Sequence, residues 1–334
     1  MSTNQKPINS GFTSSSTTAD VIQGIDLHGK TAIVTGGSSG LGRETVRTFL
    51  AAGARVIVPA RDLERARRQL SEIKGVEVLK MDLLSPASVD AFANEFLARN
   101  EPLHILVNSA GIMACPFSKS SRGFESQFAT NHLGHFQLVV QLWPALLKAK
   151  GARVVSVASK GHWFSPIVFE DPTFDHRPYD PWAAYGQSKT ANILLVVELD
   201  KRGKDKNIRA FALHPGGIPG TGLEKYVPAE QIQAAGIIDK DGKPILDPEK
   251  DVKTVEQGAA TQVWCATSPK LKDLGGVYCE NVEVAPIVDE SPRDDFGIDR
   301  SAKTRGVRPY AIDPINASRL WELSEKLLGI KADI

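Results

Sequence analysis

At 334 residues, 42% hydrophobic and 24% charged, the chain is long enough for one large domain or two ordinary ones around a sizeable core. Lys and Arg number 40 against 39 Asp and Glu, and a formal charge of +1 offers no field for gripping a nucleic-acid backbone. No apolar run approaches the roughly 18 residues of a membrane span, and Cys115, Cys265 and Cys279 are too scattered for a disulfide framework or a zinc cluster, so a cytoplasmic protein with reduced thiols is expected.

Residues 1–25 contain little to bury and are expected to be disordered, leaving 26–334 as one catalytic domain. Short β-branched runs then read as strands: Thr31–Thr35, Arg55–Val58, Val76–Leu79, His104–Val107, Arg153–Val157 and Ile208–Leu213. Helical patterns separate them. Leu41–Ala52 stops at Gly53, Leu63–Lys74 stops at Gly75, and Ser88–Arg99 follows the cap Ser85-Pro86. Phe124–Ala149, with Pro144 placed to kink it, and Trp182–Arg202 are the longest helices. Residues 216–253 mix Gly, Pro and charge, compatible with a flap over a pocket or with a solvated loop. A helix at Thr254–Thr267 and a strand from Gly276 follow. A C-terminal extension, 286–334, holds a long polar stretch to Pro314 and an amphipathic helix at Ile315–Leu328. Largely apolar strands separated by helices predict a single-domain α/β Rossmann fold, a doubly wound parallel sheet with helices on both faces.

The first strand-to-helix junction reads Gly36-Gly37-Ser38-Ser39-Gly40-Leu41-Gly42. Such a turn lets backbone approach a pyrophosphate while the helix N-terminus presents open N–H groups. Further on, Ser159 ends the fifth strand, and Tyr185 and Lys189 lie one helical turn apart on one face. A Tyr-x-x-x-Lys alone equally describes an exposed Tyr and a solvated Lys; its company makes it informative. His132 and His135 are an i,i+3 pair without a carboxylate or Cys partner, and read as packing residues rather than metal ligands.

The three residues between Gly36 and Gly40 resemble the short-chain dehydrogenase/reductase family, and the resemblance extends through much of the chain. Asp82-Leu83 is similar to the family's adenine contact, and Asn108-Ser109-Ala110-Gly111 to its Asn-Asn-Ala-Gly, with Ser109 a departure. Asn131, within Thr130–Phe136, resembles the catalytic-helix segment, and Pro215-Gly216-Gly217-Ile218 the stretch beside the nicotinamide. The family's usual Thr corresponds to Gly220, Thr221 standing one residue late. The insertion before Tyr185 and the run Ala184–Asn192 look like the retinol-dehydrogenase and WW-domain-oxidoreductase branch.

The resemblance implies catalysis by Asn131, Ser159, Tyr185 and Lys189 and no metal. It implies a nicotinamide dinucleotide held by Gly36, Ser38, Ser39, Gly40, Leu41, Gly42, Arg61, Asp82, Leu83, Asn108, Ala110, Gly111, Tyr185, Lys189, Pro215, Gly216 and Ile218. Lys189 is expected to depress the Tyr185 pKa, and Asn131 to support a water joining Lys189 to solvent. Arg61 at the end of the second strand, where NAD-selective sites place a carboxylate, favours NADP(H) over NAD(H), with Arg43 as a second positive charge. Trp163, Phe164, Ile167, Phe169 and Trp182 suggest an apolar pocket for a hydrophobic ketone, aldehyde or alcohol. The alternatives are a catalytically silent dinucleotide-binding regulator, or an enzyme of the same family acting as an epimerase or double-bond reductase. A homo-oligomer, dimer or tetramer, is expected through the two longest helices, and 286–314 either folds back over the active-site mouth or lies idle on the surface.

Overall fold

The computed structural model describes residues 4–288 and 305–334. Strands β1 (Thr31–Thr35), β2 (Arg55–Ala60), β3 (Val76–Lys80), β4 (Ile105–Asn108), β5 (Ala152–Val157), β6 (Ile208–His214) and β7 (Val277–Glu280) run parallel, and β8 (Glu283–Val284) returns antiparallel. Their order is β3-β2-β1-β4-β5-β6-β7-β8, a doubly wound sheet whose direction of winding reverses between β1 and β4. The central strands are apolar on both faces because each face meets helices. In β1, Ala32 and Val34 face a core with Phe49 and Trp264, while Ile33 faces another with Phe136, Leu199 and Trp321.

The helices are α1 (Thr18–Ile22), α2 (Gly40–Ala51), α3 (Leu63–Gln69), α4 (Pro86–Ala98), α5 (Ser126–Phe128), α6 (Gly134–Gln141), α7 (Trp143–Lys148), α8 (Pro181–Gly203), α9 (Ala229–Ala234), α10 (Val255–Thr267) and α11 (Pro314–Leu328). The expected helix 124–149 is three helices. Between α5 and α6 the chain widens into a π turn, Ala129–Leu133, and at Pro144, which has no N–H to donate, α6 gives way to α7. The expected helix 63–74 ends at Gln69.

The expectation of a disordered 1–25 is corrected over the described residues 4–25. Gln5 donates to the carbonyls of Tyr278 (2.8 Å) and Ala285 (2.6 Å) and accepts from Tyr278 N (2.9 Å). The backbone N–H groups of Ile8 and Ser10 donate to the Glu283 carboxylate at 2.8 and 2.6 Å. A segment poor in apolar residues is thus ordered by hydrogen bonds to the sheet edge, where open backbone groups need partners, and by the capped helix α1 with Val21 buried.

Helix α11 packs on α6 and α8, the helices expected to carry a subunit contact. Trp321, 1% exposed, sets its edge on Phe136 at 4.8 Å and lies under the Arg202 guanidinium at 4.4 Å. Among the described residues no helix is long and apolar enough to cross a membrane. Trp321→Ala is expected to lower the unfolding free energy by about 3–5 kcal/mol in urea denaturation, as for other buried aromatics. A loss below about 1 kcal/mol would show that α11 is an appendage rather than part of the core.

Candidate active site

The carboxyl ends of the strands open into a cleft of about 1010 Å³. Its first wall is the turn after β1. Gly36 has φ +67°, and a Cβ there would lie 2.9 Å from Ala110 backbone atoms, so only glycine lets the β1 and β4 ends approach this closely. At Gly42 a Cβ would lie 2.3 Å from the Gly36 carbonyl oxygen, which holds the start of α2 directly against the turn. Ser39, the N-cap of α2, makes no side-chain cap bond, so first-turn N–H groups are left to the cleft. The Thr35 hydroxyl accepts from Ser109 N (2.9 Å) and Ala110 N (3.0 Å) and ties the two loops together. Glycines that leave room for no side chain beside an open helix N-terminus fit a dinucleotide pyrophosphate.

Gly36, Ser39, Gly40, Leu41, Gly42, Ala110, Gly111, Ser159, Tyr185, Lys189, Pro215, Gly216 and Ile218 all line this cleft. Thr221, one residue displaced in sequence, also lines it, and a Cβ on Gly40 would meet the Thr221 Cβ at 3.2 Å. Other expected residues lie outside the lining. Arg61 is exposed at the end of β2, and Asp62 caps α3 by accepting from Arg65 N at 3.0 Å, which takes its carboxylate away from the cleft. Arg43, expected as a second positive charge for the cofactor, donates to Gln69 O at 3.1 Å and pairs with Glu72 at 3.4 Å. The Asp82 carboxylate accepts from Leu84 N at 3.0 Å, and Leu83 packs so near α6 that a Cβ at Gly134 would lie 2.5 Å from the Leu83 carbonyl oxygen. Asn108 is 1% exposed, its amide buried between β1 and β5 with no partner among the described residues. Ser38, following Gly37, is also off the lining.

Deeper in the cleft, Ser159 follows β5 by two residues and caps a 3-10 turn, Lys160–Phe164, accepting from Gly161 N at 3.0 Å. Its hydroxyl lies beside Tyr185, whose ring presses so closely on Gly161 that a Cβ there would stand 2.7 Å away, with the Ser159 oxygen at 3.3 Å from the same point. Lys189 donates to Val157 O at 2.9 Å and sits 5.6 Å from the Tyr185 ring centre. Asn131 lies in the π turn. Its amide exchanges bonds with both backbone groups of Ile112 at 2.9 Å and donates to Ser188 at 2.9 Å. Gly111 leaves room beside the Asn131 amide and the Lys189 ammonium.

Burial governs the ionisation of this group. It pushes the Tyr185 hydroxyl up to about 12, the Ser159 hydrogen bond pulling the other way, and it pushes Lys189 down to about 8. Desolvation is thus the larger effect on Tyr185, opposite in sign to the depression expected from Lys189.

Several cleft residues had no sequence signal. Met113 reaches it from the loop after β4, and Arg308 from the C-terminal extension, its guanidinium 4.5 Å from the Trp163 ring centre. The described part of that extension does return to the site: Arg308 N donates to His162 Nε2 (3.2 Å), the Tyr310 hydroxyl to His162 O (2.6 Å) and Trp163 Nε1 to Gly306 O (3.2 Å). Residues 289–304 lie outside the described residues. His214 accepts from Lys160 N at 3.1 Å and bonds Asp251 at 2.7 Å, where the two ends of the 216–253 segment meet through the pairing of Gly217 with Val252. Ile167 and Phe169, expected in the pocket, instead pack in the core, Phe169 under Arg319 at 4.1 Å.

A model of the short chain dehydrogenase family matches residues 30–232. The chain belongs to the short-chain dehydrogenase family. A probable oxidoreductase of Streptomyces lividans is 44% identical to this short-chain dehydrogenase, over 91% of the chain and 99% of the relative. Human retinol dehydrogenase 12 is 35% identical over 92% of the chain and 89% of the relative. A crystal structure of an uncharacterized protein from Mycobacterium Paratuberculosis superposes with a TM-score of 0.70 at 32% identity, covering 96% of this chain and all of that one. The chain is therefore an oxidoreductase by family and resembles the retinol dehydrogenase branch, and the family uses NAD(P)(H) with small-molecule substrates.

Gly42→Ala forces its Cβ onto the Gly36 carbonyl oxygen and must displace either the turn or the start of α2. Fluorescence titration is expected to show NADPH and NADH affinity both falling by about tenfold or more, the scale of a lost charge-assisted hydrogen bond. Unchanged affinity for both would remove the glycine turn from the cofactor site.

Proposed function

We propose that the protein interconverts a hydrophobic ketone or aldehyde and the corresponding alcohol, with NADP(H) preferred, Tyr185 moving the proton, and Asn131, Ser159 and Lys189 completing the site. The observation that carries this reading is the buried Tyr185–Ser159 pair, one helical turn from Lys189, in the same cleft as the glycine turn. When bound, the nicotinamide supplies hydride to a carbonyl carbon or takes it from an alcohol. Tyr185, a phenol at neutral pH, is suited to give its proton to the carbonyl oxygen as charge develops there. The Ser159 hydroxyl, which accepts from Gly161 N, is suited to donate its own proton to the same substrate oxygen once that oxygen sits beside Tyr185. Lys189 is placed to hold the nicotinamide ribose, and Asn131 to support the solvent link behind it.

The lining supports an apolar substrate: Met113, Trp163, Phe164, Trp182, Ile218 and Ile237 border the cleft beside Tyr185. NADP(H) is favoured because Arg61 is exposed at the end of β2 and the neighbouring Asp62 carboxylate is committed to capping α3. The reading as a silent regulator gains nothing from a chain in which all four groups are present, three of them lining one cleft.

A panel of aldehydes, ketones and alcohols, followed by nicotinamide absorbance with both cofactors, tests the reading. Tyr185→Phe is expected to lose about 10²-fold or more in turnover while still binding cofactor; near-normal turnover on a good substrate contradicts the assignment. Arg61→Ala is expected to weaken NADPH by about tenfold to 10²-fold, the scale of a hydrogen bond to a charged group, and to leave NADH within about twofold. Equal losses for both would overturn the preference. A hydroxyl with its pKa raised to about 12 keeps its proton below that pH. Carbonyl reduction should therefore be nearly flat between about pH 6 and 8, while alcohol oxidation, which needs the deprotonated form, should rise with pH. The reverse pattern would contradict the phenol assignment.

A further inference from the structure

His135, fully buried near the start of α6, is the point where Asn131 and the glycine turn are joined. Its Nδ1 lies 3.0 Å from the Asn131 carbonyl oxygen, one helical turn back, and its Nε2 lies 2.9 Å from the Thr35 hydroxyl. The proton positions follow by counting. The two lone pairs of the Thr35 oxygen are taken by the N–H groups of Ser109 and Ala110, so its own proton points outward. Of the two acceptors within reach, Val107 O stands at 3.5 Å and His135 Nε2 at 2.9 Å, so the hydroxyl donates to the ring. Nε2 is then an acceptor, and the single N–H of a neutral imidazole must be on Nδ1, where it donates to the Asn131 carbonyl. Burial pushes the His135 imidazole down to about 4, the Lys189 charge adding to the effect, so the ring is neutral at working pH.

The neighbouring histidine is turned the other way. The Ser324 hydroxyl gives its proton to Leu320 O at 2.7 Å and so accepts from His132 Nε2 at 2.8 Å, which ties the π turn to α11. A π turn disrupts the regular helical ladder, and the residue at the centre of this one is Asn131.

We propose that His135 is a positioning residue: locked in the Nδ1–H form by Thr35, it holds the Asn131 carbonyl in register with the carboxyl ends of β1 and β4. This rests on the reading of Asn131 as part of the catalytic group. The Asn131 side chain is fixed by Ile112 and Ser188, and its carbonyl by His135, so both ends of the residue are held relative to the cofactor wall.

Two measurements test it. In a long-range proton–nitrogen NMR spectrum of histidine-labelled protein at neutral pH, with His135 assigned by His135→Asn, the ring is expected as the neutral Nδ1–H tautomer. A neutral Nε2–H form or an imidazolium overturns the proposal. In kinetics on the fastest carbonyl of the panel, His135→Asn places an amide N–H where Nδ1–H stands, and His135→Gln reaches only toward Thr35. The Gln variant is expected to lose about tenfold to 10²-fold in kcat, the scale of a small misplacement, with NADPH affinity and carbonyl KM within about threefold of the parent. The Asn variant is expected to return to within about threefold of the parent kcat. Equal kcat in the two variants, or a faster Gln variant, overturns the role. Tyr185→Phe separates the layers: if that variant keeps turnover, the reading of the whole site fails, whereas an inactive Tyr185→Phe beside a fully active His135→Gln removes only the proposal for His135.

Discussion

Burial of a tyrosine and a lysine one turn apart on α8 is the constraint that organises the rest of the site. Taking an ammonium and a phenol out of water is unfavourable, and nearby polar groups offset it: Val157 O accepts from Lys189, and the Ser159 hydroxyl opposes the upward shift of the Tyr185 pKa. Both partners come from β5 or its end, so the sheet that closes the core also presents the polar atoms that make the burial tolerable. Gly161 and Gly111 have no side chains because Tyr185, Lys189 and Asn131 occupy that space.

The same economy appears at the reversal point of the sheet. A single hydroxyl, Thr35, satisfies two backbone N–H groups of the loop after β4 and faces His135. The cofactor wall, the π turn and the polar group on α8 are thereby one connected hydrogen-bonded body rather than three separate loops. The ends of the 216–253 segment are joined by Asp251, whose carboxyl is held below the usual carboxylate range by His214 against the opposing effect of burial, and by the backbone pairing of Gly217 with Asp251 and Lys253.

Much of this was legible in the sequence because it depends on local pattern. Strands apolar on both faces announced a covered parallel sheet, and the glycines at 36, 40 and 42 announced a turn too tight for side chains. Tyr185 and Lys189 share a helix face by spacing alone. What stayed hidden depends on groups far apart in the chain. Gln5 gave no sign that it would bond Tyr278, nor Arg43 that it would reach Gln69 and Glu72 instead of the cleft. Ile167 and Phe169 are apolar whether they face core or substrate, so composition could not separate them from Trp163 and Phe164. The Tyr185 hydroxyl is a related case: proximity to Lys189 can be read from spacing, whereas removal from water is a property of the folded cleft.

The central claim is that Tyr185 holds its proton throughout the neutral range and is ready to donate it. Titration of the tyrosine ring-carbon NMR signals in protein labelled at that carbon, with the Tyr185 signal identified by its loss in Tyr185→Phe, measures this directly. The account predicts that the Tyr185 signal stays at the phenol position beyond about pH 10, the ordinary tyrosine value. A signal that moves to the phenolate position below about pH 8 would contradict it.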